Sequence, residues 1–100
     1  MTYFIKYSKQ ARADLADLFD VIANSFKAPI TAQRYLQGLK DKIETLKSNP
    51  DFYAIRTNPS FSRYNKEVRR INYKKMAILY SVFENHVFIH RIIPASMIID

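Results

Sequence analysis

The chain has 100 residues, of which 48% are hydrophobic and 25% charged, and its formal net charge is +7. This length and composition suit a single globular domain over residues 1–100. The absence of cysteine excludes disulfide scaffolds and cysteine-based zinc sites. No apolar run reaches the roughly 18 residues of a membrane span, so we expect a cytoplasmic protein with no membrane partner. The positive charge favours an acidic partner, either nucleic acid or an acidic protein segment.

Two amphipathic helices are predicted after a short first strand. Aromatic and β-branched residues at positions 3–7 predict the strand, and Ser8 then stands where a helix N-cap belongs. Apolar residues at helical spacing predict a helix over residues 9–25. Its aspartates lie off the apolar stripe, on a face that we expect to be solvated: Asp14, Asp17 and Asp20. Pro29 suits the first position of a second helix, which ends by position 49 and forms an antiparallel hairpin with the first.

Two features interrupt these patterns. The only glycine, Gly38, lies inside the predicted second helix. Glycine costs a helix roughly 1 kcal/mol relative to alanine, and a close approach of the two helices offers a reason for it. Residues 50–66 have no clean period and alternate aromatic with polar or basic side chains. Because so long a structureless loop is uncommon in a small domain, this segment either contains a short strand around residues 52–56 or is functional.

The last third of the chain predicts three strands. They cover residues 68–73, 76–83 and 87–93, and the connections are short enough for hairpins. The order is therefore β-α-α-β-β-β, an α+β domain in which the helical hairpin packs on one face of an antiparallel sheet. The first strand must join that sheet, because its apolar side would otherwise be exposed.

The last two strands are apolar on both faces. In the strand over residues 76–83, one face carries Ile78, Tyr80 and Val82, and the other carries Ala77, Leu79 and Phe83. In the last strand, simple alternation opposes Val87, Ile89 and Ile93 to Phe88 and Ile92. A helical hairpin covers only one face, so the second needs another cover or serves as a partner site. The apolar tail at residues 95–99 can supply part of that cover.

The residues carry no metal or cofactor signature. His86 and His90 share a strand face but lie about 13 Å apart, too far for one ion. What remains is a basic, aromatic surface whose members fit phosphate binding and acid–base work in a metal-free ribonuclease: Arg69, Arg70, Lys74, Lys75, Tyr80 and Arg91. Core packing explains Tyr80 equally well, and a solvated turn explains the two lysines. Arg91 interrupts an apolar strand and requires a partner.

Three short segments in this order carry a family resemblance. They are Arg69-Arg70, then Ala77-Ile78-Leu79-Tyr80, then Arg91-Ile92-Ile93. Together with the order of elements, they resemble the RelE/ParE superfamily of toxins from type II toxin–antitoxin modules. The resemblance implies a small cytoplasmic toxin that a cognate antitoxin wraps and neutralises, with DNA contact only through the antitoxin. Candidates for binding the antitoxin or the target are Phe52, Tyr53, Arg56, Arg63, Tyr64, Phe83, Phe88 and Ile92.

The superfamily has two branches that differ in their target. RelE-like members cleave mRNA on the ribosome, whereas ParE-like members inhibit DNA gyrase and are not nucleases. The long helical hairpin resembles the ParE-like branch. So does the tail, because residues 94–97 read Pro-Ala-Ser-Met where many family members carry a His and then an Arg. The resemblance thus implies a gyrase inhibitor. A ribosome-dependent endonuclease and a non-toxic antitoxin-binding module remain the alternatives.

Overall fold

The computed structural model describes residues 2–98 and contains two helices and a five-stranded sheet. In chain order the elements are β1 (Phe4–Tyr7), α1 (Lys9–Asp20), α2 (Pro29–Glu44), β2 (Ile55–Arg56), β3 (Val68–Tyr73), β4 (Met76–Phe83) and β5 (His86–Pro94). The predicted α+β fold and the order of its main elements are confirmed. The predicted strand around residues 52–56 is shorter, because only Ile55–Arg56 pairs with β3.

A side-chain cap starts the first helix of the hairpin, and a backbone break separates it from the second. The Ser8 hydroxyl accepts a hydrogen bond from the amide of Ala11 at 2.9 Å and donates one to the His90 carbonyl at 2.8 Å. This cap starts α1 and fastens it to β5. After α1, one turn of π-helix (Val21–Ser25) leads to Lys27, whose φ of 53° ends the helical path. Proline at the first position then starts α2.

The sheet has the order β1-β5-β4-β3-β2 and is mixed, not wholly antiparallel as expected. β1 pairs in parallel with β5, whereas the other pairs are antiparallel. The register places Ile5 beside Val87 and Tyr7 beside Ile89, so the apolar side of β1 reaches the core. The parallel direction also brings Ser8 to β5, where it caps α1 and bonds to the same strand.

A β-bulge interrupts the pairing of β4 with β5. Tyr80 pairs with Ile89 and its neighbour Leu79 pairs with Arg91, so His90 is an extra residue in β5. A bulge of this kind reverses the faces of all side chains beyond it. The two hairpin turns at the strand ends carry residues with positive φ, Lys74 and Glu84.

The bulge makes the simple alternation predicted for β5 wrong at its C-terminal half. Ile92 lies in the main core with Val87 and Ile89, and Ile93 lies on the opposite face. The sequence pattern alone could not show this, because the extra residue is defined only relative to the partner strand. The main core also includes buried residues of both helices, such as Leu39 and Ile43.

The face of the sheet opposite the helices is covered over one half only. Phe61, Val68 and Leu79 are buried there, with Ile98 of the tail packed against them. The apolar tail therefore supplies part of the cover, as predicted, although position 99 lies outside the described residues. The half of this face near β1 has no such cover within residues 2–98, and Phe83 there is 64% exposed.

The structure explains the glycine inside α2, Gly38, differently from the expectation. A Cβ atom at this position would lie 2.8 Å from Cζ of Tyr73 and would clash with its hydroxyl. The close approach is therefore between α2 and a side chain of β3, not between the two helices. The Tyr73 ring in turn packs edge-on against Tyr35, with their centroids 5.3 Å apart.

Candidate functional site

Tyr80 and Arg69 are neighbours across β3 and β4, and both bind the segment that follows α2. Tyr80 is fully buried, and its hydroxyl donates a 2.6 Å hydrogen bond to the carbonyl of Pro50. Burial raises the pKa of Tyr80. Arg69 donates to the carbonyls of Asp51 and Tyr53, and its guanidinium lies 3.4 Å from the Asp51 carboxylate. Both side chains thus hold residues 50–53 against the sheet.

Arg91 forms a two-pronged ion pair with Asp14 of α1. Nε and Nη2 of the arginine lie 2.8 and 3.1 Å from the two carboxylate oxygens. Asp14 Oδ2 also accepts a 2.9 Å hydrogen bond from the amide of Ile92, at the edge of β5 that β1 does not reach. The Asp14 side chain is 9% exposed, so the expectation of a solvated carboxylate is wrong for this residue. Its hydrogen bonds raise the pKa of Arg91.

The remaining nuclease candidates lie on β3 and its turn to β4. Arg70 Nε donates to Asn72 at 2.8 Å. Lys74 sits over the rings of Tyr35 and Tyr73, with its ammonium 5.4 and 5.5 Å from their centroids. Lys75 is exposed at the turn. Arg70 and Arg91 flank Leu79 in the register, which places their Cα atoms about 10 Å apart. The six candidates therefore do not converge on one cluster.

The predicted partner-binding residues occupy three places. Phe52, Tyr53 and Arg56 lie on the helix side and on the β2 edge, where Phe52 is 78% exposed. Arg63 and Tyr64 lie in the loop over the covered half of the sheet face opposite the helices. The Arg63 guanidinium is 5.0 Å from the Tyr64 ring centroid. Phe83 and Phe88 lie on the uncovered half of that face. Ile92 is 2% exposed and belongs to the core.

A first groove runs between α1 and the C-terminal half of β5, and we call it the apolar groove. It encloses about 320 Å³. Its apolar lining residues are Leu18, Val21, Met76, Ile92, Ile93, Pro94 and Met97. At its rim Arg91 neutralises Asp14. The second rim carboxylate, Asp17, is exposed. The helical stripe predicted one inward face of α1 but not this groove, because the groove depends on where β1 stops.

A second groove lies on the uncovered half of the sheet, beside the start of α1, and we call it the aromatic–basic groove. It encloses about 520 Å³. Phe83, Phe88 and His90 supply rings, and three cations join them: Lys6, Lys9 and Arg12. The signal for these cations was present in the N-terminal sequence, but only the parallel β1–β5 pair brings them to β5.

His90 lies at one end of this groove, where its ring contacts Ser81 and Tyr64. Ser81 donates its hydroxyl proton to the Glu67 carbonyl at 2.8 Å. The Ser81 oxygen is therefore left to accept from Nε2 of His90, which lies 2.8 Å away. The ring stacks on Tyr64, with centroids 5.6 Å apart. Burial lowers the pKa of His90, so the neutral ring is favoured at physiological pH.

The comparisons with known proteins agree with this fold. Residues 5–99 match the family described as "ParE toxin of type II toxin-antitoxin system, parDE". The chain belongs to the ParE toxin family. The RelE/ParE resemblance is thereby confirmed, on its ParE side. Within residues 2–98, no helix of this family member is long and apolar enough to cross a membrane.

A solved structure shares the fold of this ParE family member. That structure is entitled "Chromosomal ParDE TA system from P. aeruginosa". The TM-score is 0.75 at 20% sequence identity, and the match covers 93% of this chain and 96% of the other. A search of curated protein sequences gave no match.

Proposed function

We propose that this ParE family member is a toxin that inhibits DNA gyrase and is neutralised by a cognate antitoxin. The family match over residues 5–99 carries the proposal. The arrangement of the basic residues supports binding over RNA cleavage. Arg69 and Arg91 are engaged by Asp51 and Asp14, and the Tyr80 hydroxyl is buried on a backbone carbonyl. A nuclease would need such groups aimed together at one phosphate.

The apolar groove is the place where the antitoxin docks. An amphipathic segment buries its apolar side chains against residues such as Val21 and Met97, which are 47% and 67% exposed in the free chain. A basic side chain of the same segment lies against Asp17 at the rim. Burying this apolar surface supplies the affinity, and the carboxylate fixes the orientation of the segment.

The deciding experiment is to induce the chain in cells that lack the antitoxin. We expect growth arrest with a DNA-damage response and accumulation of gyrase–DNA cleavage complexes, relieved when the antitoxin is supplied. Rapid translation arrest with mRNA cut in the ribosomal A site would instead establish the nuclease alternative. A soluble chain without any phenotype would leave only the antitoxin-binding module.

The docking site has a matched pair of variants. Val21→Glu places a charge in the apolar groove and should weaken neutralisation by the antitoxin, because the carboxylate would be buried without a partner. Ile30→Glu is the control, since Ile30 is an exposed aliphatic residue of the same hairpin outside the groove. Equal loss of neutralisation in both variants would argue against docking at this place.

A further inference from the structure

The uncovered half of the sheet presents a continuous row of aromatic rings. In the register, Phe4 lies beside His86, which lies beside Phe83, and the side chains of paired residues share a face. Phe88 follows in the next row of β5. The His86 ring lies 5.8 Å from the rings of both Phe4 and Phe88, at interplanar angles of 39° and 25°. Phe4 and Phe83 are 58% and 64% exposed, so flat apolar surface faces the solvent.

Positive charge borders these rings on one side. Lys6 lies beside Phe88 in the register, and Lys9 and Arg12 extend the edge along the first turn of α1. None of the residues that line the aromatic–basic groove is an aspartate or glutamate. The cations therefore lie beside the rings, so that one surface offers both stacking and anion contacts.

The two grooves differ in the chemistry of the partner that each would accept. The apolar groove has aliphatic walls and the exposed Asp17 carboxylate at its rim, which suit a helical peptide segment. The aromatic–basic groove has accessible ring faces and a cationic edge, which suit planar bases joined by phosphates. Duplex bases are already stacked on one another, so only unpaired bases reach such a surface.

We propose that this half of the sheet binds single-stranded nucleic acid. Bases stack on Phe4, Phe83 and Phe88, and Lys6 with its neighbouring cations neutralises the phosphates. Recognition is through ring faces and backbone charge, so binding is tolerant of base sequence. The site lies apart from the apolar groove, and the proposal does not depend on the identity of the toxin's target.

The first test measures binding of the purified full chain to fluorescein-labelled oligothymidylate of about twelve nucleotides, by fluorescence anisotropy. An oligouridylate of the same length distinguishes DNA from RNA. Three phosphate contacts predict that log K falls against log salt concentration with a slope of about −2 for a single strand. Absence of binding to both oligonucleotides at about 50 mM salt would overturn the proposal.

Variants then separate stacking from charge. Phe83→Ala should weaken binding about fivefold to about a hundredfold without changing the salt slope, whereas Lys6→Gln should reduce the slope by about 0.7. The matched controls are Phe26→Ala, which removes a ring that is 71% exposed at the far end of the hairpin, and Lys40→Gln on α2. Phe4→Ala repeats the stacking test, and circular dichroism verifies folding.

Two results contradict the proposal even if binding is seen. The first is equal weakening by Phe83→Ala and Phe26→Ala, which would place the oligonucleotide elsewhere. The second is displacement of the labelled oligonucleotide by polyglutamate as effectively as by unlabelled oligonucleotide at the same concentration of charge. That result would make the groove an acidic-peptide site. Retained affinity for the oligonucleotide in the presence of polyglutamate supports base stacking.

Discussion

Replacing Tyr80 by phenylalanine separates a structural role of this residue from a catalytic one. The substitution removes the hydroxyl that donates 2.6 Å to the Pro50 carbonyl and leaves that buried acceptor without its partner. Such a loss costs about 1–3 kcal/mol of the free energy of unfolding. With a urea m-value of about 1–3 kcal/mol/M for a small domain, the unfolding midpoint should fall by roughly 0.3–3 M.

The phenol also predicts an alkaline signature. Its pKa is raised in the folded chain, so above about pH 10 the unfolded state loses this proton before the folded state does. The contribution of Tyr80 to stability is therefore full below that pH and falls as the pH rises through it. The difference in stability between the wild-type chain and Tyr80→Phe should narrow above this pH.

Tyr3→Phe is the control, because the Tyr3 hydroxyl makes no hydrogen bond within residues 2–98. The free energy of unfolding should change by less than about 0.5 kcal/mol in this variant. In cells, Tyr80→Phe should retain growth arrest once the amount of folded protein is matched. A variant with unchanged stability but abolished toxicity would refute the structural role and return Tyr80 to the catalytic candidates.

Three further changes test the packing of the fold, each by urea unfolding. Gly38→Ala should lose stability, because the roughly 1 kcal/mol gain in helix propensity is opposed by an overpacking cost of about 1–3 kcal/mol against Tyr73; in a Tyr73→Ala background the same change should stabilise. Asp14→Asn should lower the free energy of unfolding by about 1.5–3 kcal/mol, because it weakens the pair with Arg91. A smaller loss would show that the pair does not stabilise the fold. The lowered pKa of His90 means that the unfolded state takes up a proton first below about pH 6.5, so stability should fall with acidification and His90→Gln should flatten that dependence.

The strands and helices could be predicted because each depends on local pattern. Residues 68–73 and 76–83 are strands in both the prediction and the structure, since alternation and a short turn fix them together. The helical stripes likewise identify both helices. The sequence also predicted that Arg91 has a partner, because an arginine inside an apolar strand requires one, but it did not identify that partner as Asp14.

The predictions that failed concern contacts between elements that are distant in the sequence. Asp14 was expected in solvent, because helical periodicity shows which side of α1 is apolar but not that the free edge of β5 lies beside its polar margin. Gly38 was attributed to a close approach of the two helices, because nothing in the sequence shows that the Tyr73 ring points at it. The two grooves were missed for the same reason, since each joins residues from opposite ends of the chain.

The bulge at His90 accounts for the separation of the two grooves. Without the extra residue, Ile92 would point away from the helices and Ile93 towards them. With it, Ile92 belongs to the main core, whereas Ile93 packs with the tail and the loop on the covered half of the opposite face, and both residues line the apolar groove. The cover therefore ends at His90, and the rings of β5 before that residue stay accessible. One irregular residue thus divides a sheet that is apolar on both faces into a packed half and a half available to a partner.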